Sequence, residues 1–407
     1  MEENTRRIIE NAENEVQEQF KIAEDICNFN SEKVLSAFQK KNITETDFGM
    51  TTGYGYDDVG RDTLAKIYAK VFGAEKAIVS PLISCGTHAI TTVLYGLLRK
   101  GDLMLSISGI PYDTIQSSMF GKGNSSLEDY GVEYKQIELL DDGNFDIEQI
   151  EQTTSKLKPK VVYVQRSRGY SCRNAISPMQ MKEVFDIVKN VSPQSFIVVD
   201  NCYGEFVDRL EPTDVGADVM MGSLIKNPGG GLAPTGGYIV GSDKAIDLIA
   251  TRYTNPSLKY ELGSYEMGYR MFYQGFFLAP HVVAQALKGS LLVGQIMEDK
   301  GFKVIPNNEF KPQDIVKSVV FNNENDLVKF VQTVQTISPV DAYVVPMPWD
   351  MPGYEDKVIM AAGTFVGGAS IELSCDGPIR PPYIAYFQGG LTYEHIKILA
   401  EKLIELY

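Results

Sequence analysis

Asp200 and Lys226 are the residues whose types and spacing set the reading of this chain. Asp200 ends the apolar run Val198-Val199, which reads as a buried strand delivering a carboxylate at its C-terminal end. A second apolar run, Val219-Met220-Met221, leads through Ser223 to Lys226, and the loop Asn227-Pro228-Gly229-Gly230-Gly231 follows at once. A lysine kept partly deprotonated by burial or a neighbouring cation can form a Schiff base with an aldehyde cofactor. Singly, each residue also fits a plainer role, as a surface lysine near a turn or an aspartate capping a helix.

Together and in this order they point to pyridoxal phosphate. That cofactor needs a carboxylate against its ring nitrogen, so that the protonated ring can accept carbanion electrons. Ser84-Cys85-Gly86-Thr87-His88 opens a helix. Small residues there let backbone N–H groups approach a phosphate, aided by the helix dipole. Tyr112 follows a strand end, where it can stack on an aromatic cofactor. Arg166 and Arg168 form a cationic patch after another strand. Arg380 is hemmed by prolines, which would hold a guanidinium for a carboxylate. The loop Thr51–Thr63 carries Tyr54, Tyr56 and Arg61, which suit an anion, a substrate or simple packing equally.

The elements that must position these residues follow a strand–helix–strand order. Strands are expected at 77–81, 102–107, 132–139, 160–165, at the runs ending in Asp200 and Ser223, and at 236–240. Helices are expected at 63–72, 87–98, 146–157 and 178–189. This predicts an α/β fold with a doubly wound, mostly parallel sheet. Two amphipathic helices from about Glu2 to Lys40 precede it, with Ile8, Ile9, Val16, Phe20 and Ile22 as the apolar stripe. A long helix at about 280–300 leads to a smaller α+β region with strands at 318–321, 342–345 and 370–374. Helices at 326–337 and 393–406 complete it. The division expected is an arm at 1–57, a large cofactor-binding domain at 58–285 and a small domain at 286–407.

Composition bounds the function class. The chain has 407 residues and a formal net charge of −15, which argues against nucleic acid or an anionic membrane as the main partner. No uninterrupted apolar run approaches the roughly 18 residues of a membrane span, and no signal-peptide core follows the charged N-terminus. Five scattered cysteines read as reduced thiols in a cytoplasmic protein. The three histidines show no metal-ligand spacing, so no metal is expected.

The motifs resemble those of the fold-type I pyridoxal-phosphate enzymes of cysteine and methionine metabolism, which include cystathionine β-lyase and methionine γ-lyase. Residues Gly53–Thr63, Ser84–Ile90, Pro111-Tyr112-Asp113-Thr114, Gln165–Tyr170 and Lys226–Gly230 look like the methionine γ-lyase-like branch called aluminium-resistance proteins. The resemblance implies a PLP-dependent transferase-like fold and a carbon–sulfur lyase acting on a sulfur-containing amino acid. It implies that Lys226 carries the cofactor and moves the proton, Asp200 pairs the pyridine nitrogen and Tyr112 stacks on the ring. The turn at Cys85, Gly86 and Thr87, with Ser223, would hold the phosphate. Arg380 would bind the substrate carboxylate, with Arg168 a second substrate-binding candidate. Tyr56 and Arg61 would reach across a dimer interface, Tyr56 as a catalytic acid and Arg61 on the cofactor, in a homodimer or homotetramer with shared sites. This chain departs from the better-known lyases in three places: Tyr56 and Arg61 are spaced more widely, Ile225 stands before the lysine, and Arg166-Ser167-Arg168 replaces an asparagine-bearing loop. Other pyridoxal-phosphate reactions (transamination, aldol cleavage, racemisation) and a stress-response protein with little turnover are the alternatives.

Overall fold

The computed structural model describes residues 3–123 and 125–407. Seven strands form the larger sheet: β1 (Lys76–Ser80), β2 (Leu103–Ser106), β3 (Glu133–Gln136), β4 (Val161–Gln165), β5 (Phe196–Asp200), β6 (Val219–Ser223) and β7 (Gly237–Gly241). Their spatial order is β1-β7-β6-β5-β4-β2-β3. The run from β3 to β6 is parallel throughout, and β7 is antiparallel to both its neighbours.

The central strands are apolar at nearly every position because both faces are covered. Side chains alternate between the faces with the strand period of two. Val162, Val164, Ile197 and Val199 meet Met181, Val184 and Phe185 of the helix Pro178–Val191. On the opposite face Tyr163, Val198, Val219 and Met221 meet Ile90 and Val93 of the helix Gly86–Leu97. The sheet is doubly wound, as the sequence pattern implied. Strand β2 lies between β3 and β4, so the chain reverses its progress across the sheet there. The crevice at the C-terminal ends of strands beside such a reversal is where open α/β sheets bind ligands.

The smaller sheet holds β8 (Lys303–Ile305), β9 (Val316–Phe321), β10 (Val358–Ala361), β11 (Ser374–Pro378) and β12 (Tyr383–Gln388), all antiparallel, in the order β10-β11-β12-β9-β8. One face packs on the helices Glu324–Thr336 and Tyr393–Leu406. The other turns Val316, Ile384 and Tyr386 toward Tyr170 and Tyr203 of the larger unit.

Between the sheets runs a helix from Arg270 to Asp299, which begins well before the expected start near Pro280. Proline inside a helix costs about 3 kcal/mol. Here Phe272, Tyr273, Phe276 and Ala279 are buried in the same core, and each large apolar side chain contributes about 1.5–3 kcal/mol. By length and composition this helix would suit a membrane span, yet it is mostly buried inside the protein. The expected boundary between residues 285 and 286 falls within it.

The N-terminal helices, Glu3–Glu15 and Gln17–Lys40, pack on this long helix through Ile9, Val16 and Phe20, while Ile22 is exposed. The expected first residue, Glu2, lies outside the described residues. Two expected strands differ. Residues 342–345 form no strand and Tyr343 is 85% exposed. These residues pair with no strand among the described residues, and strand formation depends on such neighbours more than on local propensity. The strand expected at 370–374 lies instead at Ser374–Pro378, which places Cys375 and Asp376 inside the small sheet.

Candidate functional site

A cleft of about 310 Å³ opens at the C-terminal ends of β2, β4, β5 and β6 and is closed by the small sheet. Its floor is built by strand ends. Register pairs Gln165 with Asp200 and Asp200 with Met221, so β4, β5 and β6 terminate side by side. Ser223 is the last residue of β6, and the chain turns there to present Lys226.

Asp200 is buried and accepts a hydrogen bond from the Cys202 backbone N–H at 3.2 Å. Burial pushes its carboxyl up, while the Lys226 ammonium and the Cys202 bonds pull it down. Lys226 Nζ sits 3.9 Å from the centroid of the Tyr203 ring, a cation–π contact. Burial disfavours its charge, but Cys202, Tyr203, Asp200 and Tyr112 around it hold the ammonium proton more tightly than in an ordinary lysine. Tyr203 adopts φ +71°, a conformation rare for a bulky residue. The turn after Asp200 enforces it and places the ring under the amine.

The helix Gly86–Leu97 points its N-terminus into the cleft. Cys85 caps it, its sulfur accepting from the His88 N–H at 3.4 Å. Among the described residues no acceptor meets the N–H groups of Gly86 and Thr87. A Cβ at Gly86 would stand 3.3 Å from Cys202 Sγ and 3.4 Å from Ser223 Cβ. Glycine therefore keeps open the cradle between the helix end and Ser223. The Tyr112 hydroxyl pairs with Thr87 Oγ1 at 2.8 Å, and its backbone N–H donates to Gln165 Oε1 at 2.8 Å. Burial and Asp200 raise the Tyr112 phenol far above its ordinary range, despite the Thr87 bond, so it stays protonated.

This arrangement fits pyridoxal phosphate. Open N–H groups and a hydroxyl await a phosphate, a buried carboxylate awaits a ring nitrogen, a tyrosine ring forms a wall, and a lysine lies between them. The structure thus brings Cys85, Gly86, Thr87, Tyr112, Asp200, Ser223 and Lys226 together around one cleft.

Five expected residues are placed differently. Arg168 lines the cleft, but its guanidinium is committed to Asp314, with contacts of 2.9 and 3.4 Å, and to Ile305 O and Ser318 Oγ. That pairing ties the large sheet to the small one and leaves little for a substrate. Arg166 is fully buried, 3.6 Å from Glu211, and supports the loop after β5. Arg380 lies outside the cleft lining, paired with Asp356 at 2.8 Å. Tyr56 is exposed and stacks on Tyr54, with ring centroids 5.4 Å apart. Arg61 is buried and bonds Gly55 O, Gly263 O and Asp62, with its Nη2 lacking a partner among the described residues. Neither Tyr56 nor Arg61 enters the cleft of its own chain, and their reach into a neighbouring subunit is a proposal carried by the resemblance alone.

Sequence reasoning missed Asp376, Tyr170, Tyr354 and Tyr386, which line the cleft from its far wall. Tyr170 donates to Asp376 Oδ2 at 2.6 Å. The one local signal was Asp376 directly after a strand-like run.

The family model described as methionine gamma-lyase matches residues 5–407. The uncharacterized protein YnbB of Bacillus subtilis (strain 168) is 49% identical over 380 residues, covering 93% of this chain and 90% of YnbB. A carbon-sulfur lyase involved in aluminum resistance from Clostridium novyi NT has a structure that superposes with a TM-score of 0.95 at 46% identity, covering 100% of this chain and 97% of that one. The pyridoxal-5'-phosphate dependent protein YhfS of Escherichia coli shares the fold at a TM-score of 0.63 and 16% identity, covering 94% of this chain and 96% of that one. The chain belongs to the methionine gamma-lyase family, and pyridoxal phosphate is the cofactor its cleft is built to hold.

Proposed function

We propose that the protein is a carbon–sulfur lyase that eliminates a thiol from a sulfur-containing amino acid. The observation that carries this reading is Lys226, held at the cleft floor over the Tyr203 ring and beside Asp200. The likeness to the Clostridium novyi carbon-sulfur lyase supports the choice of reaction.

Pyridoxal phosphate, when bound, supplies the electron sink for the charge left at the amino acid's Cα. Lys226 would hold the cofactor, give it up to the incoming amine, and take the α-proton as general base. Asp200 would keep the ring nitrogen protonated from its buried position at the end of β5. The N–H groups of Gly86 and Thr87 and the Ser223 hydroxyl would anchor the phosphate, and the Tyr112 ring would fix the plane. The Tyr112 phenol keeps its proton at neutral pH, so it can donate to a departing sulfur. The small sheet would cover these steps from one side. Tyr56 and Arg61 would complete the site from a second subunit.

Product analysis tests the reaction. Keto acid, ammonia and thiol formed together from a sulfur amino acid are the expected outcome. A new amino acid formed from an added keto acid would mean transamination and overturn the lyase reading.

A further inference from the structure

The far wall of the cleft has a feature that the proposed chemistry does not use. Asp376, on β11, lines the cleft, and its one side-chain hydrogen-bond partner among the described residues is the Tyr170 hydroxyl at 2.6 Å. Around it three tyrosine rings form a partial cage. Tyr170 lies 5.0 Å from Tyr386 and 5.6 Å from Tyr354, centroid to centroid, and all three face the cleft.

The two arginines expected to act on substrate are paired elsewhere. Arg168 is engaged by Asp314 and Arg380 by Asp356. Lys226 is the cation among the described residues that pulls the Asp376 carboxyl down, and it is the residue that would hold the cofactor. Burial pushes the Asp376 carboxyl up to about 6, against the Tyr170 bond and Lys226. An incoming cation favours its charged form. A carboxylate set among aromatic faces, in no ion pair among the described residues, is the chemistry that binds a cation: the carboxylate supplies a charge-assisted hydrogen bond and the rings supply their negative faces.

We propose that Asp376, with the rings of Tyr170, Tyr354 and Tyr386, binds a second positive charge at the distal end of the substrate's side chain. The substrate class is then a sulfur amino acid whose leaving group carries an ammonium or a similar cation. This rests on the reading that the cleft takes a sulfur amino acid.

The test compares two nearly isosteric substrates on the holoenzyme, S-(2-aminoethyl)-L-cysteine and S-propyl-L-cysteine, which differ in the terminal charge. The expected result is a kcat/KM preference of about tenfold or more for the cationic compound. Asp376→Asn should bring that ratio close to one, and Tyr354→Leu should lower it in part. An equal or reversed preference, or a preference that survives Asp376→Asn, overturns the proposal. Should Asp376→Asn fail to fold, Tyr354→Leu carries the same comparison, and an unchanged ratio there overturns it. If neither compound is cleaved, the lyase reading fails. The subsite is then judged by binding of L-lysine against L-2-aminoheptanoate, read from the change in cofactor absorbance. Tighter binding of lysine supports the subsite, and equal binding overturns it.

Discussion

The two walls of the cleft are built on opposite plans. On the large-sheet wall, polar groups are left open: unpaired N–H groups at a helix end, a hydroxyl, a buried carboxylate and an amine. They wait for one rigid cofactor. On the small-sheet wall, Arg168 is already paired with Asp314, and the Asp376 carboxylate stands among tyrosines. The difference teaches that the cofactor wall is preorganised by secondary structure, whereas the wall proposed for substrate is assembled by contacts between the two units. Preorganised groups cost nothing to arrange at the moment of reaction. Paired groups fix geometry first and take part in recognition only where a charge is left over.

The largest expected effect comes from breaking the cofactor wall at its chemistry. Lys226→Ala removes the base and the covalent anchor, so turnover should fall by about 10³-fold or more. Purified variant should also lose the visible absorbance band that borohydride abolishes in the parent protein. Undiminished turnover would sink the assignment of Lys226.

Next comes the pair that joins the walls. Arg168 and Asp314 are both about 1% exposed. Removing one partner leaves a buried charge, so Arg168→Ala should cost about 3–5 kcal/mol in urea unfolding. If Arg168 were instead a substrate-binding cation, the variant would raise KM and barely alter stability. The two outcomes separate a staple from a ligand.

How much of this was legible in the chain follows the same division. Asp200, Ser223, Lys226, Gly86, Thr87 and Tyr112 each sit at the end of a strand or the start of a helix. Apolar runs and small residues mark those places within a few positions, so the cofactor wall could be read locally. The other wall depends on pairing across long separations. Tyr170 meets Asp376 over 206 positions, and Arg168 meets Asp314 over 146. No local pattern tells a committed arginine from a free one, which is why Arg168 read as a substrate cation. The long helix was misjudged at its start because Pro280 is a stop signal locally, and the burial that overrides it comes from elsewhere in the fold.

A smaller effect lies behind the cofactor wall. Glu205 is buried, accepts from the Tyr238 hydroxyl at 2.6 Å, and its second oxygen has no partner among the described residues. Burial pushes its carboxyl from 4.5 up to about 8, more than the Tyr238 bond pulls it down. The folded protein therefore holds a proton there that the unfolded chain releases. That contribution is fully present below about pH 4.5 and is lost as pH rises through about 8. Glu205→Gln should flatten the pH dependence of stability across that window in denaturant titrations. An unchanged slope would mean that Glu205 is ionised in the fold.

The smallest expected change sharpens the comparison at the cleft rim. Arg380 and Asp356 pair with side chains 44% and 36% exposed, so the bond is a surface one. Asp356→Asn should move the unfolding free energy by no more than about 1 kcal/mol. Its kinetic effect carries the information. If Arg380 turns inward to grip the α-carboxylate, it must first leave Asp356, and that pairing competes with substrate. The asparagine variant should then lower KM modestly with kcat unchanged, and Arg380→Ala should raise KM. If both variants leave KM alone, Arg380 belongs to the rim and the carboxylate is held by backbone N–H groups or by a second subunit. The wall proposed for substrate would then contain no arginine that acts on substrate, and Asp376 would be the charged group on it left to meet one.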